Sequence, residues 1–498
     1  MDTPHSIGVI ADTEFGAVRG AIDGSTNVWR GIRYAAPPLR ELRFRAPQPP
    51  PRTAGVVEAT EFARKAPEAR SSALRRRAAL SGAEDCLTLD VWSPSGGASR
   101  KSVLIWLHGG DALRGTGSEP SFTGRSLAEN GDVVVVSVNY RRGILGFVDF
   151  SSFATPSHPA DSNLAVRDVI AALEWVQSNI AQFGGDPGRI ALAGESSAGS
   201  IVTTLLAVPA ARDLFHRAIL QSPPPAAAHP PELAARIAAT ALAMLRIHPA
   251  DLNRLREAPL PAVVAAQTRL VAATRLSLAT SAPIEAPALF GPTPFTATPF
   301  APTIDGTLVR EHPFTAIQSG RAHRVPLLIG SNRDALTGIA AVMSNGNDGH
   351  SQHATGQATA SRMPAVAIAD AHSPFAPVWL YRFDYSPPLR KAVGKAAPRS
   401  SELPYLWGTL PRGPLALCEA LVTDSAASQL SARLQHRWLT FAKLGVPTPS
   451  AGEPVWNSYD EHRATMIFDT TDEQINDLDA ALREGGDNVR HSAEALRR

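Results

Sequence analysis

Ser196 lies in a pattern that can make a serine hydroxyl reactive. The segment ALAGESSAGS (Ala191–Ser200) sets it after a short apolar run and before a row of small residues. That order is typical of a strand, a sharp turn and a helix, in which the turn exposes the serine oxygen above a sheet. Small residues also cluster in ordinary turns, so the motif alone is a weak signal. The spacing nevertheless makes Ser196 a candidate nucleophile for acyl transfer.

A second glycine turn could stabilise negative charge on a substrate. WLHGG (Trp106–Gly110) follows another apolar run, and backbone N–H groups just after such a strand can face an oxyanion. Two such turns in one chain favour a hydrolytic site over two unrelated loops.

Alternating apolar runs and helical patterns must position these residues. NLAVRDVIAALEWVQSNIAQF (163–183) has apolar residues at helical spacing, which predicts an amphipathic helix. Short apolar runs predict buried strands at 103–110, 132–138, 190–196, 216–222 and 325–331. Buried strands that alternate with helices indicate an α/β protein with a mostly parallel sheet and helices on both faces.

Composition limits the classes of partner and compartment. The 498 residues contain 48 Lys and Arg against 46 Asp and Glu, a balance that gives no reason to expect nucleic acid as a partner. No apolar stretch approaches the roughly 18 residues of a membrane span, and the first residues lack the basic and apolar regions of a secretory signal. We therefore expect a soluble, cytoplasmic protein. The sequence indicates no oligomeric state.

Length and patterning predict one large domain. We assign residues 1–475 to this domain and 476–498 to a polar C-terminal tail. The segment 344–362 is poor in apolar residues, which is typical of a flexible loop. His350 and His353 in that loop lack cysteines or carboxylates at ligand spacing, so we predict no metal site. No organic cofactor is indicated either.

Several segments together resemble a known family. FGGDPGRIALAGESSAG (183–199) and EDCLTLDVW (84–92) are similar to the two signature segments of the type-B carboxylesterases, relatives of the cholinesterases. Further similar segments follow in family order: GIRYAAPPLRELRFRAPQP (31–49), NYRRGILGF (139–147), LFHRAILQS (214–222), PTIDG (302–306), ELPYLWG (402–408) and WLTFAKLGVP (438–447). The resemblance implies an α/β-hydrolase fold, Ser196 as nucleophile and a small-molecule ester as substrate.

The oxyanion turn departs from the family pattern. Where the family has His-Gly-Gly-Gly, this chain has His108-Gly109-Gly110-Asp111. The resemblance implies that the backbone N–H groups of Gly110, Asp111 and Ser197 are the oxyanion donors, since any residue except proline supplies one. An ionised carboxylate about 4 Å from a developing oxyanion would cost on the order of 4 kcal/mol at an effective dielectric near 20. One good oxyanion donor contributes about 3–4 kcal/mol, so the two effects nearly cancel. The turn can work only if Asp111 turns away or is protonated.

The positions of the family's acid and base are also substituted. In GSNRDALTG, the acid position is Ala335, and Asp334 lies one residue early as a possible substitute. In AAPRSSELPY, the base position is Arg399. Arginine cannot accept a proton at any ordinary pH. Loss of the base from a serine triad lowers turnover by about 10⁶-fold, which predicts inefficient hydrolysis at best.

Three hypotheses about function follow. The first, which we favour, is a carboxylic-ester hydrolase that acts through a Ser196 acyl-enzyme, with Asp334 or Asp111 as a replacement base. The second is a catalytically impaired homologue that binds a ligand or protein through the same pocket. The third is a non-hydrolytic enzyme in which Asp111 and Arg399 line the pocket. The fold does not choose among them, because function depends on the site.

Overall fold

A central sheet of eleven strands organises the part of the chain that the structure describes. The structure is a computed structural model, and it describes residues 8–70, 79–96, 100–225, 228–280, 298–334, 362–392, 397–410 and 425–480. The strands in chain order are β1 Ile10–Thr13, β2 Gly16–Arg19, β3 Ala21–Asp23, β4 Thr26–Arg33, β5 Val56–Glu58, β6 Glu68–Arg70, β7 Ala79–Ser81, β8 Thr88–Pro94, β9 Lys101–Leu107, β10 Val134–Val138, β11 Gly185–Glu195, β12 Arg217–Gln221, β13 Leu327–Asn332, β14 Val378–Phe383, β15 Ala464–Phe468 and β16 Glu473–Asn476.

The middle of this sheet is parallel, as the sequence predicts. The strand order is β16-β15-β14-β13-β12-β11-β9-β10-β8-β4-β3, and the seven strands from β15 to β10 are parallel to one another. The pairs at the two ends of the sheet are antiparallel. The five predicted apolar runs form β9 to β13. Two small sheets, β1-β2-β5 and β6-β7, complete the strands of the described segments.

Helices cover both faces of the sheet. Their bounds are Arg125–Gly131, Gly143–Phe147, Leu164–Asn179, Ser197–Ala207, Pro231–Leu245, Asn253–Glu257, Leu260–Thr280, Pro313–Gln318, 362–372, Pro388–Ala392, Leu403–Leu406 and Ser425–Leu444. The predicted helix at 163–183 is present as Leu164–Asn179 and continues as a 3₁₀ turn, Ile180–Phe183. The observed sheet and its helices confirm the predicted α/β fold.

The two faces of one strand belong to two separate hydrophobic cores. In β9, Val103, Ile105 and Leu107 pack into one core, whereas Leu104 and Trp106 pack into the other. Successive side chains of a strand point to opposite faces, so a strand covered on both sides must be apolar throughout. This explains why the parallel strands appear in the sequence as unbroken apolar runs.

Two predicted boundaries lie mostly outside the described residues. Of the predicted loop at 344–362 only Arg362 is described, and it begins the helix at 362–372. The predicted tail begins at residue 476, where β16 ends, and its residues after 480 are not described. The domain boundaries stay predictions. Within the described segments, no helix has both the length and the apolar character needed to cross a bilayer.

Candidate active site

Ser196 occupies a sharp turn between a strand and a helix. β11 ends at Glu195 and the helix Ser197–Ala207 begins one residue after the serine. The backbone of Ser196 has φ 58° and ψ −126°, a region that residues with side chains rarely adopt, so the turn is strained. Its N–H donates to the Gln221 carbonyl oxygen at 2.9 Å, which holds the turn against β12. The predicted strand–turn–helix context of Ser196 is present.

Gly194 allows the turn to close. A Cβ on Gly194 would lie 2.8 Å from the carbonyl oxygen of Ala198, which is too close for any side chain. A larger residue at this position would therefore push the first turn of the helix away from the strand. The Ser196 side chain is nearly covered, since the residue is 3% exposed.

The loop after β9 lies against the start of the same helix. The N–H of Ala112 donates to the Ser197 hydroxyl at 3.0 Å, which joins the two predicted oxyanion segments. Gly110 has φ 114°, and Asp111 and Ala112 also have positive φ, 59° and 60°. A Cβ on Gly110 would lie 2.3 Å from the Arg114 carbonyl oxygen, so the tight loop needs glycine there. The loop geometry thus depends on local backbone strain.

The predicted oxyanion donors are available for a ligand. In the described segments, no hydrogen bond is formed by the backbone N–H groups of Gly110 and Asp111. Ser197 is the first residue of its helix, and an N–H in the first turn of a helix has no intrahelical acceptor. These groups are therefore free to bind an oxyanion, and their catalytic role stays a prediction.

The Asp111 carboxylate faces two guanidinium groups. Its Oδ1 is 3.7 Å from Nη1 of Arg399, and its Oδ2 is 3.6 Å from Nη2 of Arg114. The Asp111 side chain is 42% exposed, so solvent also reaches it. Two cations and water offset part of the negative charge, which weakens the repulsion that the sequence predicts for this position.

Arg399 contacts the candidate nucleophile directly. Its Nη2 donates a hydrogen bond to the Ser196 hydroxyl oxygen, and its Nε is 3.9 Å from Oε1 of Glu195. The position at which the family has its base therefore lies at the serine in this fold. A guanidinium carries only donors, so it accepts no proton from the serine.

The structure describes only part of the segment that holds the family's acid position. Ala335 lies outside the described residues. Asp334 follows β13, and its N–H donates to the Ala397 carbonyl oxygen at 2.8 Å, with a bridge to Pro398. The residue after Pro398 is Arg399, so the backbone of Asp334 runs beside the segment that carries the arginine. The role of Asp334 as a substitute acid or base stays a prediction.

The histidine after β9 and the two nearest in sequence to the base position make other contacts. His108, which follows β9, is stacked on Tyr140 with ring centroids 4.8 Å apart, and burial lowers its pKa to about 3. His372 has its Nε2 2.9 Å from the Val325 carbonyl oxygen, and His436 lies in the helix Ser425–Leu444. Among the described residues, no histidine ring forms a hydrogen bond with the Ser196 hydroxyl.

Glu195, the residue just before the serine, is a further buried acidic group at the site that was not among the predicted residues. Its carboxyl group is buried, and Oε1 accepts a hydrogen bond from the Ser400 hydroxyl at 2.6 Å. Burial raises the pKa of Glu195 to about 7, although Arg399 and the Ser400 hydrogen bond act in the opposite direction. The sequence carried a signal for this group, because an acidic residue at the end of a predicted buried strand places a carboxylate away from water.

Glu402 is a second buried carboxyl group close to the site. Gln221 donates to its Oε1 at 3.1 Å, and Asn332 donates to its Oε2 at 2.7 Å. Burial raises the pKa of Glu402, and these hydrogen bonds oppose the rise. The residue holds the segment that carries Arg399 against the ends of β12 and β13. In the described segments, no group of three or more His, Cys, Asp or Glu residues could hold a metal ion.

The sheet and the strand–turn–helix at Ser196 are those of the α/β-hydrolase fold, and comparisons with known proteins agree. A model of the carboxylesterase family matches residues 8–361 and 357–484. The chain belongs to the carboxylesterase family. This match confirms the family that the sequence segments indicate.

Individual relatives span almost the whole chain. The chain is 35% identical to the para-nitrobenzyl esterase of Bacillus subtilis (strain 168), over 95% of this chain and 98% of the relative. It is 30% identical to the phenmedipham hydrolase of Pseudarthrobacter oxydans, over 94% and 97%. A solved PNB esterase superposes with a TM-score of 0.78 at 33% identity, over 96% of this chain and 99% of that one.

Proposed function

We propose that the protein hydrolyses carboxylic esters through an acyl-enzyme formed on Ser196, at a rate well below that of a serine esterase with a histidine base. The geometry of Ser196 carries this proposal. The serine sits in a strained turn at the start of a helix, beside backbone N–H groups that have no partner among the described residues. That combination supports nucleophilic attack on an acyl group and binding of the resulting oxyanion.

The expected substrates are small-molecule esters. Relatives along nearly the full length of the chain are named as esterases, which supports this substrate class. We further propose that the protein acts in the cytoplasm, needs no cofactor and has no nucleic-acid partner. The near-balance of acidic and basic residues supports the last point.

The expected inefficiency follows from the base position. Arg399 lies where the family has its base, and it cannot take the serine proton. In serine hydrolases, loss of the base alone costs about 10⁶-fold in turnover, while an intact oxyanion hole preserves roughly 10³–10⁴ over water. We therefore expect a rate above that of an oxyanion hole acting alone and below that of a complete Ser-His-acid triad.

Hydrolysis of p-nitrophenyl acetate and p-nitrophenyl butyrate tests the proposal. The Ser196→Ala variant is expected to lose the activity of the wild-type protein. Ser200→Ala changes a serine on the same helix and should keep that activity, so it serves as the matched control. A fluorophosphonate probe should label the wild-type protein and not Ser196→Ala. Equal hydrolysis by wild type and Ser196→Ala would overturn the proposal.

A binding scaffold is the second candidate function. It is favoured by the Arg399 guanidinium, which donates a hydrogen bond to the Ser196 oxygen and faces Asp111 and Glu195. In that case the pocket would bind a small molecule or protein without cleaving it. The two candidates differ in the Ser196→Ala assay, because a scaffold has no serine-dependent hydrolysis to lose.

A further inference from the structure

We propose that Glu195 and Arg399 together replace the missing imidazole: Glu195 accepts the proton of Ser196, and Arg399 stabilises the serine oxygen as the proton leaves. This inference rests on the proposed ester hydrolysis. The proton acceptor is then Glu195, in preference to Asp111 or Asp334.

The first observation is the crowding around Gly109. A Cβ built on Gly109 would lie 2.1 Å from Oε2 of Glu195 and 2.9 Å from Cβ of Ser196. The carboxyl group and the serine side chain therefore border the same small space on one side of the glycine. In the proposed reaction the hydroxyl proton of Ser196 crosses this space to the carboxyl group of Glu195. A base must lie within hydrogen-bond reach of the proton it takes, directly or through one water.

The second observation is the direction of the hydrogen bond from Arg399. Because a guanidinium only donates, the Ser196 oxygen is the acceptor in this contact. The proton of the serine hydroxyl is therefore not used by Arg399 and can be given to another acceptor. Arg399 is also next to that acceptor, with its Nε 3.9 Å from Oε1 of Glu195. One guanidinium thus faces both the oxygen that loses the proton and the carboxylate that gains it.

The third observation is the charge environment of Glu195. The charged and titratable groups that face it are Arg399, Asp111, Glu402, Tyr140 and Tyr381. Burial and the charges of Glu402 and Asp111 raise the pKa of Glu195 to about 7, against the opposing effect of Arg399 and Ser400. A base whose pKa lies near the working pH combines a useful ionised fraction with adequate basicity. An exposed carboxylate would be too weak a base for this task.

In this scheme Glu195 carries one proton in acylation and one in deacylation and returns to its starting state after each. In acylation, the Ser196 oxygen forms a bond to the ester carbonyl carbon while its proton moves to Glu195. The bond to the leaving alkoxide then breaks, and Glu195 returns the proton to that alkoxide. In deacylation, water attacks the acyl-enzyme and gives a proton to Glu195, which passes it to the departing Ser196 oxygen. Arg399 keeps its charge throughout.

Ser400 tunes the carboxyl group without touching the serine. Its hydroxyl donates to Oε1 of Glu195 at 2.6 Å and favours the ionised form, so this hydrogen bond lowers the pKa. Ser400 is a positioning residue in this arrangement. Its removal should raise the pKa of Glu195 and leave the nucleophile and the guanidinium in place.

The test is the pH dependence of kcat/KM for p-nitrophenyl acetate, followed at the isosbestic wavelength of nitrophenol. The wild-type protein should show a rise to a plateau with an inflection near pH 7. Glu195→Gln should lower the plateau by about 10²-fold or more and remove the inflection. Ser400→Ala should keep a plateau and shift the inflection to higher pH. Glu195→Asp keeps a carboxylate and should recover part of the rate.

The outcomes separate this inference from the proposed function. If Ser196→Ala hydrolyses the ester as fast as the wild type, the proposed function itself is wrong. If Ser196→Ala is inactive but Glu195→Gln keeps the rate and the inflection, hydrolysis stands and Glu195 is not the acceptor. Should Glu195→Gln fail to fold, an unshifted inflection in Ser400→Ala would overturn the inference by itself.

Discussion

Asn332 donates a hydrogen bond to Glu402, with 2.7 Å between Nδ2 and Oε2. The same amide nitrogen donates to the Ser401 hydroxyl at 3.1 Å, while Ser222 donates to Oδ1 of Asn332 at 2.9 Å. Asn332 is the last residue of β13, and Glu402 follows Arg399 by three residues. This contact therefore fixes the segment with the substituted base position to the strand that leads to the substituted acid position.

Asn332→Ala should lower stability and disturb the site. The change removes a buried donor from Glu402, and an unsatisfied buried polar group costs about 1–3 kcal/mol. The free energy of unfolding, from urea denaturation, should fall by about that amount. Asn457→Ala changes an exposed asparagine and should stay within about 0.5 kcal/mol of the wild type. An unchanged urea midpoint for Asn332→Ala would contradict the assigned role of this contact.

Restoring the family's residues should restore catalysis. The triple change Ala335→Glu, Arg399→His and Asp111→Gly supplies an acid, an imidazole base and an unhindered oxyanion turn. We expect kcat for p-nitrophenyl butyrate to rise by at least about 10³-fold, since a triad acts as a unit. The same triple change combined with Ser196→Ala is the control and should show no gain. An unchanged rate in the first variant would mean that the pocket no longer fits the ester.

Asp111→Asn should increase the rate by a smaller amount. The carboxylate opposes an oxyanion nearby, but Arg399, Arg114 and solvent offset part of its charge. We expect about a tenfold rise in kcat, which corresponds to roughly 1.4 kcal/mol of the barrier. Because the charge of Asp111 also raises the pKa of Glu195, the inflection in the pH profile should move to lower pH.

Glu174→Gln is the control for this change. Glu174 is exposed on the helix Leu164–Asn179, so its removal alters the net charge by the same amount and should leave the rate unchanged. If both variants gave the same increase, the effect would arise from net charge and not from the oxyanion turn.

The buried Glu195 should also make stability depend on pH. Its pKa is raised in the folded state from an ordinary 4.5 to about 7, so the folded protein binds this proton more tightly than the unfolded chain. The contribution of Glu195 to stability is therefore greatest below pH 4.5 and is lost as the pH rises to 7. Glu195→Gln lacks this titration. The free energy of unfolding of Glu195→Gln minus that of the wild type should therefore increase by about 3 kcal/mol as the pH rises from 4.5 to 7.

Urea denaturation of both proteins at several pH values measures this difference. Carboxyl groups with lowered pKa, such as Asp161 and Asp305, titrate alike in the two proteins and cancel in the comparison. A difference between the two proteins that stays constant with pH would show that the pKa of Glu195 is not raised by folding.

The fold was predictable from the sequence because its strands are buried on both faces. Their apolar runs stand out against the amphipathic helix at Leu164–Asn179, and the turn at Ser196 lies between strand and helix as expected. The contacts of Arg399 were not predictable, because they depend on how the chain around residue 399 packs against β11 and β13. The burial of Glu195 could have been predicted from its place at the end of a buried strand, but its charged and polar neighbours are brought to it by tertiary packing.

The space beside Gly109 also limits how this chain could be improved in the laboratory. Any side chain at that position would collide with both Glu195 and Ser196. Directed evolution toward faster turnover is therefore expected to accept almost no change at residue 109. Beneficial substitutions are expected at residue 399 itself, where the guanidinium is partly open to solvent.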